Sequence, residues 1–218
     1  MFNSEKYQSV LAQVSKYQAR LVVVSKTQPI ESLKAAHAAG VRVMAENRVQ
    51  ELLSRYEALP KDIEWHLIGH LQTNKVKYIA PFVACIHSVD SLGLLQEINK
   101  RATQHQRVIP CLLQMHIAEE ESKFGLNLTE LEDLLQNPVL KTLSHVKIIG
   151  LMGMGTLTED REKTHSEFRF LKQCYDRVRS MYHGQIFEWR ELSMGMSGDF
   201  DLALAEGSTM VRVGSLLF

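Results

Sequence analysis

The chain has 218 residues, and 25 Lys plus Arg balance 25 Asp plus Glu, so its formal net charge is zero. That length suits one well-buried domain and hardly two, and the charge balance excludes the basic footprint of a nucleic-acid binder. No run approaches the ~18 apolar residues of a membrane span, the amino terminus lacks an apolar signal region, and Cys85, Cys111 and Cys174 show no metal-ligand rhythm, so a single cytoplasmic domain with free thiols and no membrane partner is expected.

A helix is predicted over 4–18, with Ser4 as its N-cap. Leu21-Val22-Val23-Val24 then reads as a strand buried on both faces, as in a parallel sheet, with Ser25 and Lys26 at its carboxyl end. Helix 30–39, closed by Gly40, leads to strand 41–45, with Glu46 and Asn47 at its end, and to helix 48–57. Strand 63–68 ends in Gly69-His70-Leu71-Gln72 and a helix to about 78. Within that strand His66 alternates with Trp65 and so faces the opposite side. Strand 82–87 ends in Ser88-Val89-Asp90 and is followed by helix 91–104, capped by Ser91. Strand 108–116, a polar stretch 118–125 and helix 129–136 come next. Strand 146–150 ends in Leu151-Met152-Gly153-Met154-Gly155, before a long helix 160–182. Strand 187–192 runs into Ser193-Met194-Gly195-Met196-Ser197-Gly198-Asp199 and short helix 199–206. Strand 209–213 closes the series, with Gly214 and Ser215 at its end. Trp65 and Trp189 are read as core. Met152, Met154, Met194 and Met196 are read as core filler or pocket lining.

Eight β-α units require parallel strands with crossover helices, and a closed α/β (β/α)₈ barrel of the TIM type is the expected single-domain fold over 1–218. An open doubly wound sheet is the alternative. It is disfavoured because the first turn, Ser-Lys-Thr-Gln-Pro, has no glycine. In a barrel, chemistry sits at the carboxyl ends of the strands. Lys26 there is either a lysine snorkelling to solvent or, with partial burial lowering its pKa, a nucleophilic amine suited to a Schiff base. The loops after strands seven and eight are where barrels hold phosphate. Ser193, Ser197, Gly214 and Ser215 supply hydroxyls and glycines in both loops, although loop glycines and caps would look the same. A strand-end lysine facing such a cradle is the arrangement that pyridoxal 5′-phosphate (PLP) needs. Arg212, two residues before Gly214, faces the same way. Beside the pyridine nitrogen it would keep that nitrogen unprotonated and weaken the ring as an electron sink.

Several blocks are more specific than composition or spacing. They are Val24-Ser25-Lys26-Thr27, Glu46-Asn47-Arg48-Val49-Gln50-Glu51, Trp65-His66-Leu67-Ile68-Gly69-His70-Leu71-Gln72-Thr73-Asn74-Lys75, Lys123-Phe124-Gly125, Gly150-Leu151-Met152, Leu192-Ser193-Met194-Gly195-Met196-Ser197 and Gly207-Ser208-Thr209-Met210-Val211-Arg212-Val213-Gly214. Through them the chain, from about residue 21 onward, resembles the pyridoxal-phosphate homeostasis protein family, single-domain proteins similar to the barrel of alanine racemase. The resemblance implies Lys26 as the Schiff-base lysine and Asn47 near the oxygen side of the ring. It implies Ser193, Ser197, Gly214 and Ser215 as phosphate contacts, and Arg212 as the partner of the pyridine nitrogen or of the phosphate. It also implies PLP binding without established turnover and a part in vitamin B6 and amino-acid balance. As a mechanism, an intracellular monomer that holds PLP and delivers it to apo-enzymes is expected. Two positions depart from the pattern. Ala45 stands where the family has glycine and is expected to crowd the cofactor face, and His116 stands where it has asparagine.

Three rivals remain open. A weak PLP-dependent amino-acid racemase needs an acid/base group on the face opposite Lys26. His70 or His116 would have to supply it, since the chain continues only five residues beyond the eighth strand and leaves no room for the added domain of alanine-racemase-like enzymes. A Schiff-base aldolase acting on a sugar phosphate would lack the yellow colour of bound PLP. A pure interaction protein needs a large exposed apolar patch, and no stretch clearly supplies one.

Overall fold

The computed structural model describes residues 1–119 and 124–218. Lys123, and residues 120–123 of the polar stretch after the fifth strand, lie outside the described residues. Among those described, eight parallel strands close into one barrel in sequence order. They are β1 (Arg20–Val24), β2 (Val43–Glu46), β3 (Glu64–Leu67), β4 (Cys85–Val89), β5 (Ile109–Met115), β6 (Val146–Gly153), β7 (Phe187–Ser193) and β8 (Met210–Val213). The helices are α1 (Ser4–Ser15), α2 (Ile30–Ala38), α3 (Val49–Ala58), α4 (Val76–Ile79), α5 (Leu92–Gln104), α6 (Leu128–Gln136), α7 (Arg161–Met181) and α8 (Phe200–Ala205). No helix among the described residues is long and apolar enough to cross a membrane.

Alternation along the strands sorts the side chains into two layers. Val23, Met44, Trp65 and Val211 join one large cluster between barrel and helices. Val22, Ala45 and Met210 form a separate small cluster within the barrel, as do Cys85, Leu112, Ile149 and Met152. His66 falls on the inner side, as its alternation with Trp65 requires, and is 2% exposed. Trp189 is only half-buried and stacks on Phe187 with ring centroids 5.5 Å apart. All three cysteines are free and buried.

The element edges differ from expectation where local bonding wins over apolar content. The cap of α1 is Asn3, whose side chain accepts from the Lys6 N–H at 2.9 Å, so Ser4 is the first helical residue. β2 starts at Val43 because Val41 closes α2: its N–H donates to the Ala36 carbonyl at 3.1 Å beside Gly40 in the left-handed region. β4 starts at Cys85 because Phe82 and Val83 donate back to Ile79 and complete a helical turn. β6 runs on to Gly153 and β7 to Ser193, each past its predicted end. The β7–β8 seam has the single register pair Ser193↔Met210. Side chains reinforce it: Ser208 Oγ lies 2.9 Å from the Met194 carbonyl, and Thr209 Oγ1 donates to Glu191 at 2.8 Å. The loops after these two strands are thereby held side by side.

Candidate functional site

A cavity of about 530 Å³ opens at the carboxyl ends of the strands. Lys26, Asn47, Ser197, Arg212, Gly214 and Ser215 all line it.

The Lys26 side is fastened from the helix-facing side of the barrel. The Ser25 N–H donates to the Ala45 carbonyl at 2.9 Å, and Ser25 Oγ donates to Glu46 Oε1 at 2.7 Å. Arg55 of α3 donates to the same oxygen at 3.1 Å. Glu46 is fully buried and its second oxygen, Oε2, has no partner. Burial raises its carboxyl pKa, against the Ser25 and Arg55 hydrogen bonds that lower it. The backbone then turns sharply. Thr27 sits at φ 65°, an outlier for a β-branched residue, and its hydroxyl donates to the Lys26 carbonyl at 2.6 Å. Lys26 itself is exposed. The partial burial expected for it is not found, because the turn carries it off the strand end toward the open rim.

Asn47 is half-buried, and the loop after β3 lies directly on it. A Cβ added to Gly69 would fall 2.2 Å from the Asn47 carbonyl oxygen, so only glycine permits this approach. Ser88 braces that loop by donating to the Gly69 carbonyl at 2.6 Å. Ala45 packs with Val22 and Met210 beneath the cavity and does not line it, so its methyl does not crowd the site.

On the far wall, Ser197 Oγ accepts from the Gly214 N–H at 3.2 Å and ties the last two strand-end loops together. A Cβ on Gly214 would meet the Val24 carbonyl at 3.0 Å, so β8 and β1 approach closely there. Asp199 also lines the cavity. Its Oδ1 accepts from the Met196 N–H at 2.5 Å, and burial raises its carboxyl pKa. Arg212 forms the floor, 2% exposed. It donates to Ser193 Oγ at 2.5 Å and to the Gly153 carbonyl at 2.9 Å. Burial lowers its pKa to about 10, with Asp199 opposing, so it remains a cation at neutral pH.

Ser193 is the one proposed site residue the structure keeps out of the cavity. It is fully buried under Arg212, because β7 extends through it. His70 is also elsewhere, stacked on Phe124 at 3.8 Å and 3.4 Å from Asp90 Oδ2. His116 does not line the cavity either. Met154 and Met196 line it, whereas Met152 and Met194 are core. Sequence reasoning stopped at Gly155 and missed Thr156, Leu157, Thr158 and Arg161, which wall the cavity between β6 and α7. Thr156 is pinned there by its N–H to Glu167 Oε2 at 2.7 Å, and Arg161 pairs with Asp201 at 2.5 Å. The signal for this wall was position alone, since every strand-end loop of a barrel borders the same face.

Residues 4–218 match the family profile described as alanine racemase, N-terminal domain. The pyridoxal phosphate homeostasis protein of Aquifex aeolicus is 42% identical over 201 residues, covering 92% of this chain and 86% of that one. The protein of the same name from Synechocystis sp. is 38% identical over 223 residues, covering 100% of this chain and 98% of that one. Among solved structures, PipY of Synechococcus elongatus with PLP bound matches with a TM-score of 0.88 at 34% identity, covering 99% of both chains.

Proposed function

This chain belongs to the pyridoxal phosphate homeostasis protein family, and from that premise we propose that it holds PLP as a Schiff base on Lys26 and hands it to apo-enzymes. The observation that supports this most directly is the convergence of an amine, a two-loop anion cradle and a buried cation on one cavity. The donor set suits the cofactor. Because Ser197 Oγ already accepts from Gly214, its O–H proton is left to donate to an anion. The Ser215 hydroxyl and the backbone of Gly198 stand beside it. The six-residue α8 adds little dipole, so hydroxyls and N–H groups hold the phosphate. Asp199 beside the cradle is engaged by the Met196 N–H through Oδ1, and burial raises its carboxyl pKa.

When bound, PLP supplies an aldehyde for a lysine and a ring that withdraws electrons. The chain's own residues restrict the chemistry open to that ring. Arg212 spends two of its five N–H donors on Ser193 and Gly153, and the others stay at the floor as a fixed cation. With the ring nitrogen turned toward Arg212, a second cation there would be disfavoured, which would weaken the ring as an electron sink. No histidine or tyrosine is among the described residues lining the cavity, and the carboxyl there, Asp199, is engaged by the Met196 N–H. Both features favour holding over turnover. The exposed lysine on an open cavity favours release to an acceptor, in the reducing cytoplasm that free thiols suit.

The test is borohydride reduction of PLP-loaded protein. The visible band should vanish and the mass label should map to Lys26, with Lys26→Ala unlabelled. Unreduced protein should activate an apo-enzyme, and reduced protein should not. A label on another residue, or racemisation by wild type far above Lys26→Ala, would reject this reading.

A further inference from the structure

We infer that His87, acting through Ser193, is the positioning residue that fixes the Arg212 guanidinium at the cavity floor, within a hydrogen-bond chain of one direction that ends at His66. The inference deepens the PLP reading and rests on it for the role of Arg212.

The chain begins at a group that can only donate. Arg212 has no acceptor, so Ser193 Oγ, 2.5 Å away, must accept. The serine proton then needs an acceptor of its own, and His87 Nδ1 lies 3.2 Å from the oxygen. The reverse polarity would aim two donors at Ser193 and leave a fully buried O–H unused. With Nδ1 accepting, neutral His87 carries its proton on Nε2, which stands 2.9 Å from His66 Nδ1. His66 accepts there and carries its own proton on Nε2. One arginine thus dictates the tautomers of two histidines in the barrel interior.

Both rings must be neutral for this, and the surroundings enforce it. Burial and Arg20 lower the His66 pKa to about 3. Burial, His66, Arg212 and Arg20 hold His87 well below its ordinary value. Cys85 completes a cluster whose ligand atoms lie within 4.8 Å of one another, which invites a metal reading. The chemistry opposes it. An ion would have to break the His66–His87 bond and deprotonate a thiol pushed up to about 12 by burial, with Glu191 adding to the rise. It would also sit near two arginine cations.

The experiment compares His87→Leu, His87→Asn and Ser193→Ala. Asn offers an oxygen near the place of Nδ1, and Leu offers nothing. PLP affinity should fall about tenfold in His87→Leu and Ser193→Ala, the size expected for losing a hydrogen bond to a charged group, and recover in His87→Asn. The visible band of bound PLP, and its pH dependence, should shift in the first two variants and return in the third. Because the residues act in series, His87→Leu on top of Ser193→Ala should add nothing. Thermal unfolding screens each variant for folding, and if His87→Leu does not fold, Ser193→Ala and His87→Asn decide. Wild-type affinity and spectrum in folded His87→Leu or Ser193→Ala, or additive losses, would overturn the inference. So would one zinc ion per chain that is lost in Cys85→Ser. A wild type that carries no label on Lys26 would instead reject the PLP reading itself.

Discussion

Two buried polar networks flank the cavity, and they are completed to different degrees. Under Lys26, Ser25, Glu46 and Arg55 meet on the helix-facing side, and Glu46 Oε2 is left without a partner. Under Arg212, Ser193, His87 and His66 run through the barrel interior, and none of their atoms is among the buried polar atoms left unpartnered in the described residues. The first network keeps an acid that burial pushes toward its neutral form. The second keeps two rings neutral so that one cation stays fixed. A site with the proposed role of releasing its ligand needs a rigid recognition floor, while the end that carries the amine can tolerate a looser anchor.

The comparison breaks most severely if the cation is removed from the incomplete side. Arg55→Met leaves Glu46 fully buried without its ion-pair partner, and about 3 kcal/mol of stability should be lost at pH 7 in urea unfolding. The loss should depend on pH with a definite sign. Glu46 already has a raised folded pKa, and removing Arg55 raises it further. A carboxyl raised on folding keeps its stability at acid pH and loses it as pH rises through the folded value. The deficit of Arg55→Met should therefore shrink toward pH 5. Equal deficits at pH 5 and 7 would show that the buried charge is not what Arg55 compensates.

The complete side responds to acid in the opposite sense. His66 and His87 have depressed folded pKa values, so their contribution is full above about 6.5 and is lost as pH falls toward about 3. Each neutral ring accounts for up to about 1.4 kcal/mol per pH unit, so wild type should lose about 2 kcal/mol between pH 6 and pH 5. The groups near these rings are Arg20, Cys85, Glu191, Ser193 and Arg212. None of the cations among them eases protonation. Glu46 and Asp199, both raised by burial, gain stability as pH falls from their folded values toward the ordinary carboxylate value, which offsets part of this slope. Urea midpoints across this window measure the slope, and a flat profile would mean that the rings are not held neutral.

These networks also mark where sequence reading stopped. The barrel was legible because buried parallel strands are short β-branched runs with turn residues between them, as at Val22-Val23-Val24 and Val211-Arg212-Val213. Six cavity residues were legible because a barrel brings its strand ends together. Ser193 was misplaced by one residue of strand length, which turned a presumed loop hydroxyl into an interior one. Alternation placed His66 on the face opposite Trp65 but could not name its partner. That needs the register, in which His66 pairs with Cys85 and so brings His87 to the next inward position. The wall from Thr156 to Arg161 depends on how far β6 extends, which apolar patterning does not report, whereas α7 begins within one residue of its expected start.

The smallest effect tests whether the amine side is also the strained side. Thr27 holds φ 65° directly after Lys26, a conformation that costs a β-branched residue of order 1 kcal/mol and that asparagine tolerates. Thr27→Asn should therefore raise stability by about 1 kcal/mol, or about 2–4 °C in Tm for a chain of this size. The substitution also removes the hydroxyl that donates to the Lys26 carbonyl, so the lysine should be oriented less firmly and PLP held severalfold less tightly. Stability and affinity should then move in opposite directions, as expected where backbone strain serves presentation of a reactive group. A less stable Thr27→Asn would mean that the turn is not strained. A more stable variant with unchanged affinity would mean that the strain has no part in presenting Lys26, and the contrast between the two sides would then rest on the buried networks alone.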